Sequence, residues 1–277
     1  MRYNICLIKP DQYIHSLAFT ELAELLLYSL QELGFEVQIQ FNELDNNACN
    51  ILIDCHLLDT ALIKSVPKSS IIINTEQIYA DFTNWNLPIM EWVKHFETWD
   101  YSERNIIKFH ELGLRGIKHL KIGFQKELAR IPQSSVQDID VLFYGTMNER
   151  RITVVNLLKA AGLKVHTAFG IYGPERDQLI SRSKIVLNNH FYHSHIFEII
   201  RVFYLMTNSV AVVGEVNPST SIDPIYLNGI YGVPYLDLHK ACLELLEDSA
   251  RRTKLRQNAL ETIQQFPQKK FTAELLD

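Results

Sequence analysis

Three groups of residues in this chain combine side-chain types and spacings able to do chemistry. Gly145-Thr146 closes an apolar run and is followed by Arg150 and Arg151. A glycine lets a ligand approach the backbone closely, and a hydroxyl, helix amides and an arginine together suit a diphosphate. The plain alternative is a tight turn followed by a solvated basic helix. Glu198 and Arg201 stand one helical turn apart in an otherwise apolar stretch. On a largely buried helix a charged side chain wants a partner or a ligand. A carboxylate there can accept both hydroxyls of a ribose, and an arginine can hold phosphate. An exposed ion pair of the same spacing would matter little. His190, His193 and His195 invite a zinc reading, but the spacing matches no standard ligand pattern and no cysteine or carboxylate pair completes a set. They read as a substrate-facing loop, and no metal is expected.

A further histidine, His15, lies just before the first long helix, at the ligand edge of the first strand. The bland reading is a solvated loop residue. The chemical one is a general base, because an ordinary pKa of roughly 6.5 suits proton abstraction near neutrality. Asp54, His56 and Glu76 close two other strands and are the fallback bases. The chain has no nucleophile elbow, no Walker loop and no His-Glu-x-x-His motif.

These residues need sheets to position them. Lys184 to Leu187 reads as a buried strand ending in Asn188-Asn189-His190. From His195 the apolar residues Ile196, Ile199, Ile200, Phe203 and Leu205 follow a helical period that Asn208 stops. Ser209 to Val213 is another strand, ending at Gly214-Glu215. Strand, loop, helix, strand is a βαβ unit. Asn189, His195, Glu198 and Arg201 fall at its strand ends or near its helix N-terminus, the edge where open α/β sheets bind ligands.

The front half reads the same way. Strands are expected over Tyr3 to Ile8, Phe35 to Phe41, Asn50 to Asp54, Ser70 to Ile73, near Trp99, and over Lys118 to Ile122. A long helix capped by Ser16 and stopped by Gly34 follows the first strand. No Gly-x-Gly-x-x-Gly occurs in the first loop. Glu127 to Asp138 loses its apolar period and reads as a linker. Strand logic restarts at Ile139 to Tyr144. Asn148 caps a helix ended by Gly162, Leu163 to Ala168 is a strand, and Tyr172-Gly173-Pro174 opens the next helix. Val216 to Asp237 reads as a structured loop and His239 to Phe266 as two helical pieces. The expectation is two doubly wound, Rossmann-like α/β domains, 1–130 and 138–277, facing a central cleft.

Composition agrees with two ordinary domains: 277 residues, of which 47% are apolar. A net charge of −5 argues against a general nucleic-acid surface. Four cysteines without paired spacing read as reduced core residues of a cytoplasmic protein. The chain enters a strand at once, which reads as no signal peptide. No apolar run nears the roughly 20 residues that span a bilayer, so membrane attachment is peripheral at most.

The Gly-Thr loop, the run Ser183-Lys184-Ile185-Val186-Leu187-Asn188, the Glu-x-x-Arg pair and the ending Val212-Val213-Gly214-Glu215 resemble glycosyltransferases of the GT-B fold, especially bacterial members related to family 1 and the CgeB-like proteins. The resemblance implies a metal-independent transferase that takes a nucleoside diphosphate sugar, UDP first among the nucleotides, and needs no other cofactor. The C-terminal domain would hold the donor and the N-terminal domain an acceptor (glycan, small molecule or peptide). Gly145, Thr146, Arg150 and Arg201 would meet the phosphates, Glu198 the ribose, and Tyr172-Gly173 would lie near the base. Asn189 and His195 would line the same donor site. Inverting members often place a histidine base where His15 stands. The second glutamate of many retaining members is absent, since Met206 occupies its place. The alternatives are a nucleotide-sugar epimerase or hydrolase, or an inactive binding module on the same fold.

Overall fold

The computed structural model describes residues 1–78, 86–193 and 195–277. It divides into two units, Met1–Gln125 with Pro267–Asp277, and Lys126–Phe266.

The first unit runs β1 (Arg2–Leu7), α1 (Thr20–Glu32), β2 (Glu36–Phe41), β3 (Cys49–Ile53), β4 (Ile71–Asn74), α2 (Asn86–Val93), β5 (Glu97–Asp100), α3 (Glu103–Glu111) and β6 (Ile117–His119). Its six strands form one parallel sheet in the order β2-β1-β3-β4-β5-β6. β3 and β4 are apolar along nearly their whole length because the sheet is covered on both faces. Ile5, Leu52, Ile72, Trp92 and Phe109 are fully buried within this unit. Gly34, at φ +89°, turns the chain from α1 into β2. The expected Ser16 cap is not seen. Residues Ile14–Phe19 form a short 3-10 helix, α1 starts at Thr20, and Ser16 is buried inside the turn.

The second unit runs β7 (Ile139–Tyr144), α4 (Glu149–Ala160), β8 (Val165–Ala168), α5 (Gly173–Ser181), β9 (Ser183–Asn188), α6 (Ile199–Thr207), β10 (Val212–Glu215), β11 (Tyr231–Val233), α7 (Leu238–Glu247) and α8 (Ser249–Gln264). Its parallel sheet has the order β11-β10-β9-β7-β8. Asn148 caps α4 as expected, its Oδ1 accepting from the amide of Arg151 at 3.0 Å. Two expectations fail here. The helix read from His195 begins at Ile199, because His195 takes a left-handed φ of +51° and Ile196 pairs with Ser221 instead. The loop read over Val216 to Asp237 contains the edge strand β11.

The segment read as a linker is fastened to the second unit. Asn208, at the C-terminus of α6, accepts from the amides of Arg130 and Ile131, both at 2.8 Å, and donates to the Leu128 carbonyl at 2.9 Å.

The last helix, α9 (Gln268–Leu276), groups with the first unit, whereas the sequence reading placed it in a domain over 138–277. The reason lies in its side chains. Ser29 Oγ and Thr272 Oγ1 share a hydrogen bond of 2.8 Å, Gln268 Oε1 accepts from the Gly123 amide at 2.6 Å, and Leu275 is buried. Phe124 and Pro267 form an isolated bridge.

All four cysteines are free and buried. Among the described residues, no helix is long and apolar enough to cross a membrane.

Candidate functional site

The second sheet reverses its winding between β7 and β9. Open α/β sheets lodge ligands beyond the strand C-termini at such a point. β7 runs out into Gly145, and β9 into Asn189 and His190. Gly145 has φ +129°, and a Cβ on it would lie 2.9 Å from Arg201 Nη2 and 3.9 Å from Arg151 Nη1. The missing side chain is what allows two guanidiniums to rest on the strand end. Aromatic rings line the same spot, with Arg151 5.1 Å from the Phe143 centroid and Arg201 5.2 Å from that of Tyr144.

Arg151 is buried. It donates twice to the Asn189 carbonyl, at 2.8 and 3.1 Å, and once to the Thr146 carbonyl at 2.7 Å. Burial, and then the charge of Arg201, lower its pKa to about 10, so it stays cationic near neutrality. Arg201 Nη1 donates to Asn188 Oδ1 at 3.2 Å. Glu198 occupies the N-cap position of α6, and its carbonyl accepts from the Arg201 amide at 3.0 Å. Arg151 Nη2 lies 3.6 Å from its Oε1. Its Oε2 accepts from Asn188 Nδ2 at 3.0 Å, and His190 Nδ1 lies 3.3 Å from that oxygen. Burial alone would raise the Glu198 carboxyl. The His190 contact and the two arginines outweigh it and hold the pKa at about 2.

Two groups here have buried polar atoms without hydrogen bonds. Asn189 is fully buried, yet neither its amide nitrogen nor its amide oxygen is hydrogen-bonded among the described residues. Glu198 Oε1 likewise accepts no hydrogen bond. Buried polar atoms are rarely left in this state. Beside two guanidiniums and one carboxylate, they fit a ligand that brings both anionic oxygens and hydroxyls.

Arg150, expected at the phosphates, is paired with a carboxylate in the structure. Its Nη2 lies 2.5 Å from Glu215 Oε1, and its guanidinium stacks 4.2 Å from the Tyr235 centroid. Glu215 is fully buried and also accepts from Asn217 Nδ2 at 2.7 Å and from the His190 amide at 3.0 Å. Arg150 therefore clasps the segment after β10 to the sheet edge. His195 stacks on His190 with 5.6 Å between centroids, and its Nδ1 lies 2.7 Å from Ser219 Oγ. His193 is exposed. Thr146 is exposed and contributes its carbonyl, while Tyr172 and Gly173 open α5 on the same sheet edge, beyond β8. Among the described residues, no three His, Cys, Asp or Glu side chains cluster as a metal site. The single Asp-x-Asp run, Asp138-Ile139-Asp140, lies at the opposite end of β7, where Arg182 and Lys184 neutralise the two carboxylates.

The first sheet reverses between β1 and β3. Asp54 follows β3 in a left-handed conformation, φ +63°, and accepts from Thr75 Oγ1 at 2.9 Å. His56 Nε2 lies 3.5 Å from Glu76 Oε1. Burial pushes the Glu76 pKa up to about 7 and the His56 pKa down to about 4. Burial raises Asp54 well above the usual carboxylate range, and the Glu76 charge raises it further. His15 is half-buried, its ring edge-on to Tyr13 with 5.3 Å between centroids.

The structure thus brings Gly145, Asn189, Glu198 and Arg201 together and gives Arg150 and His195 neighbouring structural duties. His15 and Glu76 lie in the first unit. Sequence reasoning grouped Arg151 with Gly145 and Thr146 but assigned the phosphate contact to Arg150. The signal was available: a residue three places after a capping asparagine points its side chain back over the helix N-terminus.

No protein-family profile matches the chain. Two curated relatives come from Acanthamoeba polyphaga mimivirus. Protein L140 is 28% identical over 176 residues, 60% of this chain and 54% of its own. Protein L137 is 23% identical over 245 residues, 85% of this chain and 32% of its own. The chain therefore spans about half the length of one and a third of the other. Among solved structures, Anabaena HepE in complex with UDP and glucose superposes with a TM-score of 0.62 at 11% identity, covering 100% of this chain and 98% of that one. T4 phage BGT in complex with UDP and Mn2+ gives 0.60 at 11%, covering 99% and 98%. WaaG, a glycosyltransferase of lipopolysaccharide biosynthesis, gives 0.60 at 9%, covering 98% of each. The chain has the GT-B fold, two Rossmann-like parallel-sheet domains.

Proposed function

We propose that this chain is a glycosyltransferase that moves a sugar from a nucleoside diphosphate, UDP first among the candidates, to an acceptor hydroxyl. The observation that carries the reading is the pair of guanidiniums seated on side-chain-free Gly145, beside the Asn189 amide and Glu198 Oε1, which make no hydrogen bond. Arg201 and Arg151 supply charge for a diphosphate, Arg201 directly and Arg151 from its buried seat. Glu198 is held ionised to accept a ribose hydroxyl pair. That structural relatives at full coverage were captured with UDP supports the choice of nucleotide.

The transfer is read as metal-independent and inverting. The arginines take the role a cation would play against the departing diphosphate. The acceptor proton leaves to a side chain at the C-terminal edge of the first sheet, where His15 and Glu76 are the two candidates. The acceptor is a glycan, a small molecule or a peptide.

A thermal-shift series with UDP, GDP, CDP and dTDP, with and without EDTA or Mn2+, tests this. One nucleotide at a hundred times its Kd raises stability by about 2.7 kcal/mol. The same shift in EDTA is expected. No shift with any nucleotide overturns the donor reading, and a shift only with Mn2+ overturns metal independence.

A further inference from the structure

A buried network at the ends of β4 and β5 has no part in the reaction as set out above. Asn74, Asp100 and Asn105 are all fully buried. Asp100 accepts from Asn74 Nδ2 at 2.6 Å, from the Ser102 amide at 2.7 Å and from Asn105 Nδ2 at 3.1 Å. Both asparagines then turn to one residue. Asn74 Nδ2 and Asn105 Nδ2 donate to the Glu76 carbonyl at 2.9 and 2.8 Å, and Asn74 Oδ1 accepts from the Glu76 amide at 3.1 Å. Asn105 Oδ1 also takes the Ile78 amide at 2.8 Å. Two fully buried asparagines, themselves held by Asp100, therefore bond the backbone of Glu76 at its amide and its carbonyl. Such a network is costly unless fully satisfied, and it enforces a single geometry when it is. What that geometry delivers is the Glu76 carboxyl, 3.5 Å from His56 Nε2.

We infer that Glu76 is the general base of the transfer and that Asp100, acting through Asn74 and Asn105, is its positioning residue. This rests on the transferase reading. In the step, a Glu76 carboxylate oxygen takes the proton of the acceptor hydroxyl. The hydroxyl oxygen forms a bond to the anomeric carbon, the bond from that carbon to the β-phosphate oxygen breaks, and its electron pair leaves with the diphosphate. The proton on Glu76 passes to solvent.

The surroundings suit the task. Among the described residues, the titratable groups around Glu76 include Asp54, His56, Tyr13 and, through Asn74 and Asn105, Asp100. His56, held near 4 by burial, is neutral and adds no charge. Tyr13 is raised by burial and then by the Asp54 and Glu76 charges. Burial raises Asp54 well above the usual carboxylate range and raises Glu76 and Asp100 to about 7, so Glu76 can change state near neutrality.

The experiment pairs UDP calorimetry with pH profiles of UDP release from UDP-glucose and with 13C-glutamate NMR, on wild type, Glu76→Gln, Asp100→Asn and Asn105→Ala. Calorimetry reads the donor site alone, so UDP binding lost in wild type condemns the transferase reading rather than this one. Expected for Glu76→Gln is a loss of kcat of about 100-fold or more at unchanged UDP Kd. The NMR signal that this variant removes should titrate near 7 in wild type. Asp100→Asn should lower kcat by roughly tenfold with little change in KM and should move that midpoint. Asn105→Ala, which leaves Asp100 two donors, should do the same more mildly and serves if Asp100→Asn does not fold. Full turnover in Glu76→Gln, a Glu76 signal at an ordinary carboxylate pH, or a midpoint indifferent to both network variants overturns the assignment.

Discussion

Gly145 and Arg201 form one device at the scale of single residues. Arg201→Ala removes a charge-assisted contact worth about 2 kcal/mol, so UDP affinity should fall roughly thirtyfold in calorimetry. Gly145→Ala should weaken UDP by about tenfold through the same guanidinium, because its Cβ claims the place Arg201 occupies. If Gly145→Ala binds UDP as well as wild type, the guanidinium is not part of the site. Glu198 allows a second test. Its folded pKa of about 2 lies below the ordinary 4.5. A depressed carboxyl stabilises the fold fully above its unfolded pKa and loses that contribution as pH falls through the folded one. Glu198→Gln should therefore be less stable than wild type by up to about 3 kcal/mol near neutrality, and the gap should close between about pH 4.5 and 2. A gap that persists at pH 2 in urea titrations refutes the electrostatic account.

At the scale of elements, Asn208 is the clearest case. One buried side chain satisfies the end of α6 and three backbone groups of residues 128–131. Asn208→Ala should cost about 2 kcal/mol and lower Tm by some 5 °C by calorimetric scan, since the Ile131 amide loses its Asn208 acceptor and the Arg130 amide keeps only the Leu128 carbonyl. The same element shows how much the sequence disclosed. Apolar periods and end signals sufficed to read the strands from Tyr3, Ile139 and Lys184, the helix after Asn148 and the α7–α8 pair, because these obey local rules. Asn208 was legible as a helix stop but not as the anchor of a segment nearly eighty positions earlier, since that bond depends on tertiary approach. His195 misled for a related reason. Its apolar neighbours keep a helical period, yet the pairing of Ile196 with Ser221 wins. β11 was missed because three residues, Tyr231–Val233, are too few for alternation to register. In the site, Gly145, Glu198 and Arg201 could be picked out by residue type. The exchange of duties between Arg150 and Arg151 could not, because it turns on Glu215, which approaches from β10.

At the scale of the whole molecule, the first unit is made of two separated stretches of chain, Met1–Gln125 and Pro267–Asp277. Removing Pro267–Asp277 should destabilise that unit selectively, because Ser29, Gly123 and the face of α1 under Leu275 lose their partners. Two melting transitions are then expected, with the UDP-responsive one unmoved. A single transition shifted as a block would show that α9 supports both units equally. α9 also sets an order of assembly during synthesis. Domains generally complete themselves in the order they leave the ribosome. Here the half translated first lacks a helix encoded after all of the second, so the second half can mature while its elder neighbour waits with α1 uncovered, a window in which chaperones would be expected to act.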